Sequence, residues 1–164
     1  RDLVRSRGLG DVYKRQEQMQ GAIIVYSTAL EYVENNGLGS IQIVSPISGA
    51  AFQAKVLGNG SISAPQIDYG IVKASVLTGK GKISLTGKCR EAELSVTGAG
   101  QIEADRLTAR DVTCRIRGVG VIGCHATQKL TAKATGNGEV YYRGTPEIKK
   151  LSLGELSVRS LEGK

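Results

Sequence analysis

Apolar positions along this chain recur on two scales. On the short scale they alternate. Ile41-Gln42-Ile43, Ile62-Ser63-Ala64, Ile83-Ser84-Leu85 and Ile102-Glu103-Ala104 each set a polar residue between two apolar ones. That is the period of a β-strand with one buried face. On the long scale a Gly-x-Gly-x-aliphatic pattern returns: GLGSI at 37–41, GNGSI at 58–62, GKGKI at 79–83, GAGQI at 98–102, GVGVI at 118–122 and GNGEV at 136–140. A seventh copy, SLGEL at 152–156, has Ser152 in place of the first Gly, and the steps between copies are 21, 21, 19, 20, 18 and 16 residues. Repeats at periods of 20–50 residues signal solenoids and related arrays.

Aligning the copies on their first Gly turns the chain into columns. The fifth position holds Ile41, Ile62, Ile83, Ile102, Ile122, Val140 and Leu156; two residues on stand Ile43, Ala64, Leu85, Ala104, Cys124, Tyr142 and Val158. A second strand precedes each corner. Two residues before the first Gly are Val56, Leu77, Val96, Ile116 and Ala134; four before are Ala54, Ser75, Leu94, Cys114 and Ala132; six before are Phe52, Lys73, Ala92, Val112 and Leu130, with Lys73 the misfit. Each repeat therefore reads as strand, Gly corner, strand, and a loop such as 64–70 or 123–129 that absorbs the differences in length.

One coil of this size cannot bury its own apolar face, whereas stacked coils about 4.8 Å apart pair each strand with its copies above and below. Like residues then lie on like residues, and Gly at the corner permits a positive φ. The chain is predicted to be all-β: a right-handed parallel β-helix of six to seven coils of about 20 residues, right-handed winding being the default for such crossovers. An antiparallel sandwich with Gly turns is the competing arrangement, and it gives no reason for aliphatic columns at this period. In 17–36, AIIVY at 22–26 reads as a strand. STALEYVENNG at 27–37 reads as a short helix, with Ser27 or Thr28 as N-cap and Gly37 as its stop, that would cap the open end.

Composition supports turns and strands. Gly is 22 of 164 residues, about twice the ordinary share, while Trp is absent and the aromatics are six Tyr and one Phe. No apolar run approaches the length of a transmembrane helix. The first 16 residues, RDLVRSRGLGDVYKRQ, resemble translated sequencing adaptor, and the GLGDV at 8–12 is out of phase with the repeats. The expected organisation is thus a non-native segment at 1–16, an N-terminal strand and cap remnant at 17–36, and the β-helix domain at 37–164. Of the formal charge of +7, the first segment carries +3, leaving +4 for 17–164. That mild excess is too small to argue for nucleic acid.

The ladder, and above all its ending GNGEVYYRGTPEIKKLSLGELSV at 136–158, resembles the head GIN domain family, whose members bear the label of auto-transporter adhesins or of a domain of unknown function. Gly136, Gly138, Val140, Tyr142, Gly144 and Pro146 occupy the places of that family's closing motif. The resemblance spans about 37–158. It implies a right-handed parallel β-helix, export to the periplasm or cell surface, and occurrence in Bacteroidetes-type bacteria. Members usually have more sequence before this point, which implies a missing N-terminal piece. The family carries no established catalytic residues to transfer.

Chemistry-bearing residues are sparse. His125, the single His, follows the inward Cys124 and so points outward, which keeps the two from pairing as base and nucleophile. Cys114 and Cys124 fall in apolar columns and Cys89 in a loop; there is no C-x-x-C, and one His completes none of the usual zinc sites. A Cys114–Cys124 bridge is one way to pair two of the three. The residue after the second Gly is never Asp, against a calcium β-roll, and no third Gly or helix follows to make a dinucleotide loop. Glu103 and Asp105 share an outer strand face and are the one candidate acid–base pair. We expect no catalytic residue, no cofactor and no metal.

The outer columns suggest display instead. Leu57, Thr78, Thr97, Arg117 and Thr135 precede the corners as a partial Thr ladder. Two residues earlier run Lys55, Val76, Ser95, Arg115, Lys133 and Lys149, within which Lys55, Arg115 and Lys133 are the candidate binding residues. The expected function is non-enzymatic: an exported β-helix that binds or scaffolds at the bacterial envelope, with a glycan or cell-surface protein as partner. A polymerising cytoskeletal β-helix similar to bactofilins, and a polysaccharide-active enzyme, are the rival readings.

Overall fold

The computed structural model describes residues 2–5, 13–17, 22–28 and 30–161. Eleven strands carry the chain: β1 Asp2–Arg5, β2 Tyr13–Glu17, β3 Ala22–Tyr26, β4 Tyr32–Asn36, β5 Ser40–Ile43, β6 Ile47–Leu57, β7 Ser61–Leu77, β8 Lys82–Gly98, β9 Gln101–Gly118, β10 Val121–Arg143 and β11 Glu147–Ser160. Every pairing is parallel, and the strands wind into a β-solenoid of about seven turns. The column of isoleucines is a true stack: Ile23 pairs with Ile41, Ile41 with Ile62, Ile62 with Ile83, Ile83 with Ile102 and Ile102 with Ile122. All are buried, as the alternation requires.

The two glycines of each corner do different work. The first adopts positive φ, 108° at Gly98 and 121° at Gly118, where an L side chain would be strained. The second supplies room: a Cβ on Gly81 would lie 2.5 Å from Val56 Cγ1, and one on Gly120 2.3 Å from Val96 Cγ1. From Gly81 onward the corner of each coil thus seats on the apolar side chain that ends the strand one coil below, whereas Gly60 seats over Asn35.

Four expectations are corrected. First, the columns slip by one residue before the third corner. Leu57 pairs with Leu77 and Leu77 with Thr97, so Val76 and Ala74 point inward, not Leu77 and Ser75. Thr78 is the extra residue, held at φ 59° in the corner itself. With the slip, Val72 takes the core position and Lys73 faces solvent, which removes the misfit. Second, segment 27–37 is not a helix. Tyr32–Asn36 is a strand paired with β6, with Val33 and Asn35 inward. Asn35 completes its own corner: its amide donates to the carbonyls of Gly39 (3.0 Å) and Ser61 (2.9 Å), and its carbonyl oxygen accepts from the Gly37 N–H (2.9 Å).

Third, the supposed loops are a third ladder. Ile47–Ile67–Gly87–Leu107 and Gly49–Tyr69–Cys89 pair in register, and Ile67, Tyr69, Leu107 and Ala109 are buried. Bulges between Ala64 and Ile67, Ser84 and Thr86, and Gly123 and His125 absorb the differences in length. Fourth, Gly136 pairs with Gly154, so the first Gly of the last copy is Gly154; Val158, not Leu156, stands over Val140, and Leu156 occupies the place of the second Gly. Strands β1 and β2 pair with β3 and β4 in ladders of four and five residues, while Gly8–Val12 lies outside the described residues.

Candidate functional site

The strand segment that precedes each Gly corner builds one outer sheet face, and the register sets what it displays. One column runs Lys55, Ser75, Ser95, Arg115, Lys133, Leu151; its neighbour runs Leu57, Leu77, Thr97, Arg117, Thr135, Leu153. Of the sequence-selected residues, Lys55, Arg115 and Lys133 do share a column, but two serine-bearing coils separate Lys55 from Arg115. Val76 leaves the column for the core, and Lys149 belongs to the next one, opposite Thr131.

Arg115 and Lys133 lie together on a shallow groove of about 700 Å³, with Arg117, Ser95, Thr97, Thr135, Leu151 and Leu153 around them. Arg117 was assigned to the Thr ladder by sequence; its spacing of two from Arg115 was the signal that both guanidinium groups leave the strand on one side. The ion pairs between described residues join Lys82 to Glu103 (3.3 Å), Lys88 to Asp68 (3.8 Å) and Arg143 to Asp105 (3.4 Å). Arg115, Arg117 and Lys133 enter none of these pairs. Arg115 and Lys133 stack on adjacent coils and Arg117 stands two residues along from Arg115, so that three cations rimmed by hydroxyls give this face a local positive potential. Leu151 and Leu153, 47% and 77% exposed, give the same groove an apolar lip.

The two candidate acids are differently placed. Glu103 receives Gln101 Nε2 at 2.9 Å and Ser84 Oγ at 3.4 Å as well as Lys82, and Asp105 faces Arg143. Each is thus neutralised by its own cation on an open strand face, and no apolar pocket surrounds either. A general acid on a sugar needs a carboxyl that keeps its proton, which burial away from cations provides. Both carboxyl groups stand instead on the outer strand face, each with a cation beside it.

Cys124 is buried and His125 is half-buried on the opposite side of the strand, in the ladder with Thr108. The Cys89 thiol is pushed up to about 12 by burial, the opposite of what activates a nucleophile. Among the described residues no group of His, Cys, Asp and Glu could hold a metal ion. No helix among them is long and apolar enough to cross a membrane.

The family model described as "Putative auto-transporter adhesin, head GIN domain" matches residues 6–146. The chain belongs to this family. Among solved structures, a "putative lipid binding protein" from Parabacteroides distasonis is 31% identical, with a TM-score of 0.81, and the match covers 88% of this chain and 59% of that one. This head GIN chain therefore spans little more than half of that relative. A "putative adhesin" from Bacteroides fragilis is 21% identical over 92% of this chain and 94% of that one, with a TM-score of 0.77. Another, from Parabacteroides merdae, is 18% identical over 99% and 100%, with a TM-score of 0.68. At those identities the last two show the shared fold alone. No curated protein matches the sequence.

Proposed function

We propose that this head GIN chain is a non-enzymatic binding module, exported to the cell envelope, that holds an acidic glycan along the Arg115–Arg117–Lys133 face. The observation that carries the reading is a cluster of three cations that enter no ion pair between described residues, Arg115 stacked on Lys133 with Arg117 two residues along from Arg115, on a face whose neighbours are Ser95, Thr97 and Thr135. An acidic glycan laid across the coils meets Arg115 and Lys133 at the stacking distance of about 4.8 Å with Arg117 beside them, and the hydroxyls of Ser95, Thr97 and Thr135 at the same spacing accept from and donate to sugar oxygens. Lys55 lies on the same column and extends the track for a longer chain. The family's adhesin label, and the salt-bridged state of Glu103 and Asp105, support binding without turnover.

The test is titration calorimetry against acidic and neutral polysaccharides, with vesicles of anionic lipid as a separate arm. Binding of the acidic glycans, weakened about tenfold or more in R115A/K133A and by added salt, is the expected result. Equal binding of neutral glycans, or no effect of the double variant, would sink it. Vesicle binding without glycan binding would reassign the face to lipid, in keeping with the name of the Parabacteroides distasonis relative and with Leu151 and Leu153 at the groove's lip.

A further inference from the structure

Four residues before each first Gly and four after each second Gly stand two inward positions that face one another across the corner. In the coil ending at Gly98 they are Leu94 and Ala104; in the one before, where Thr78 adds a residue, they are Ala74 and Leu85. All four are buried, and each pair joins one large side chain to one small one. At the next corner, Gly118-Val119-Gly120, the same two positions are Cys114 and Cys124, 0% and 1% exposed. The flanking core residues are small: Ala132 pairs directly over Cys114, Ala104 is buried on the preceding strand β9, and Ala126 is buried two residues along from Cys124 on β10. The neighbouring Cys124 side chain, with burial adding to it, holds the Cys114 thiol well above its ordinary range. Cys89 lies on the third ladder beside Tyr69 and takes no part in this contact.

We infer that Cys114 and Cys124 are a disulfide-forming pair, a covalent staple that closes the corner at Gly118–Gly120 from inside the core. The inference does not depend on the ligand reading. The oxidant is a small disulfide. One cysteine sulfur, as thiolate, attacks the oxidant's S–S bond and expels one thiolate, leaving a mixed disulfide on the protein. The second cysteine sulfur attacks the first, forming the Sγ–Sγ bond and expelling the other thiolate. The two thiol protons pass to the two released thiolates, and the oxidant is reduced by the same two electrons that the cysteines lose. Buried thiols are slow to react, so the bond forms during folding or on opening of the corner.

The sequence supplies its own assay. Trypsin cuts after Arg110, Arg115, Arg117 and Lys129, leaving Cys114 in 111–115 and Cys124 in 118–129, and Cys89 in the dipeptide 89–90. The full chain is unfolded and refolded with oxidised glutathione or with a reductant, its free thiols are alkylated, and the digest is read by mass spectrometry. The folded chain held with oxidised glutathione in urea below its unfolding transition gives a second route to the same readout. The expected result is a linked 111–115/118–129 peptide, with Cys89 alkylated. The oxidised protein should melt roughly 5–10 °C above the reduced one, a difference kept in C89A and absent in C114A. Alkylation of both Cys114 and Cys124 under both routes would overturn the inference. So would linkage to Cys89 or to a second chain, or equal melting of the oxidised and reduced forms.

Discussion

The two ends of the described ladder are built from different materials. Toward the N-terminus the core is wide and filled by large groups: Leu30, Ile47, Phe52 and Tyr69 are all buried, the Phe52 and Tyr69 rings lie 5.2 Å apart, and the Tyr69 hydroxyl donates to the Leu30 carbonyl. Toward the C-terminus the small residues Cys124, Ala126, Ala132 and Ala134 share the core with Ile122, Leu130 and Val140, and no aromatic ring is buried among them. The final strand, β11, is paired along fourteen residues yet is exposed at most of them, because among the described residues only β10 lies against it. Its apolar Leu151 and Leu153 face outward, next to Lys133 and Thr135. One end spends its large side chains on cohesion, while the other presents them to the surface that carries the cations. A binding face needs a rigid lattice behind it, and the wide end supplies that anchor.

The largest expected effect breaks the anchored end. Phe52→Ala should destabilise the fold by about 3–5 kcal/mol, since it removes a buried ring and strips Tyr69 of its partner. Leu153→Ser at the other end removes a side chain already in solvent and should stay within about 0.5 kcal/mol. Urea unfolding of the two variants measures both. Comparable losses would mean that the two ends are equally cohesive.

A smaller contrast concerns the space-making glycines. A Cβ on Gly60 would lie 2.7 Å from the Gly37 carbonyl oxygen, 2.8 Å from that of Gly39 and 2.7 Å from Asn35 Nδ2. Those are backbone atoms and a fully bonded amide, which do not yield. A Cβ on Gly138 would instead meet the Ile116 side chain, at 2.8 Å from Cδ1. Gly60→Ala should therefore cost about 2–3 kcal/mol and Gly138→Ala about 1–2 kcal/mol, as Ile116 shifts its rotamer. Melting curves showing Gly138→Ala to be the worse variant would contradict this account of the corners.

Next in size is an effect of alkali on the anchored half. Burial raises the Tyr69 hydroxyl pKa, with the nearby Glu31 charge adding to it, and pushes the Cys89 thiol up to about 12 from an ordinary 9.0. Both folded-state values lie above the unfolded ones, so the fold favours the neutral forms. Their contribution is fully present below about pH 9 and is lost as pH rises toward 12. Since the two residues pair in the ladder, the loss should appear first in hydrogen exchange of β7 and β8. In Cys89→Ala the fall in melting temperature between pH 8 and 11 should be shallower than in the parent. An unchanged slope would assign the alkaline loss to other groups.

Most of the lattice was legible in the sequence because an in-register parallel stack makes each buried position recur in the chain. The isoleucine column and the Gly-x-Gly corners read directly. What failed was whatever a fixed spacing cannot express. Thr78 adds one residue inside a corner, so counting back from Gly79 put Leu77, Ser75 and Lys73 in the core in place of Val76, Ala74 and Val72. In the last copy the eye follows Gly154 as the second Gly of a degenerate pair, whereas backbone register makes it the first. The third ladder was missed because its apolar residues, such as Ile67, Tyr69 and Leu107, vary in spacing from the corner, with bulges making up the difference. The basic face was legible only in part: Arg115 and Lys133 share a column and Arg117 lies in the Thr ladder, as the spacing placed them, whereas the slip at Thr78 put Val76 where Ser75 stands and Thr78 where Leu77 stands.

The smallest effect we expect comes from the start of the chain. We propose that residues 1–16, which resemble adaptor-derived sequence, add little to stability. Their described strands make two short ladders, Asp2–Arg5 against Ile23–Tyr26 and Tyr13–Glu17 against Tyr32–Asn36, beside the fourteen pairs that join β10 to β11. The corner that follows β4 is completed without them, since the Asn35 side chain bonds to Gly37, Gly39 and Ser61. The large core groups of the wide end, Phe52 and Tyr69, sit two and three coils further along the stack. A chain beginning at Glu17 should then melt within roughly 2 °C of the full chain, the size of a change below about 0.5 kcal/mol. The family match begins at residue 6, inside this segment, which gives the truncation its force. A loss of several degrees would show that β1 and β2 shield Val25 and Val33 as an integral coil, and the anchored end would then begin at residue 2.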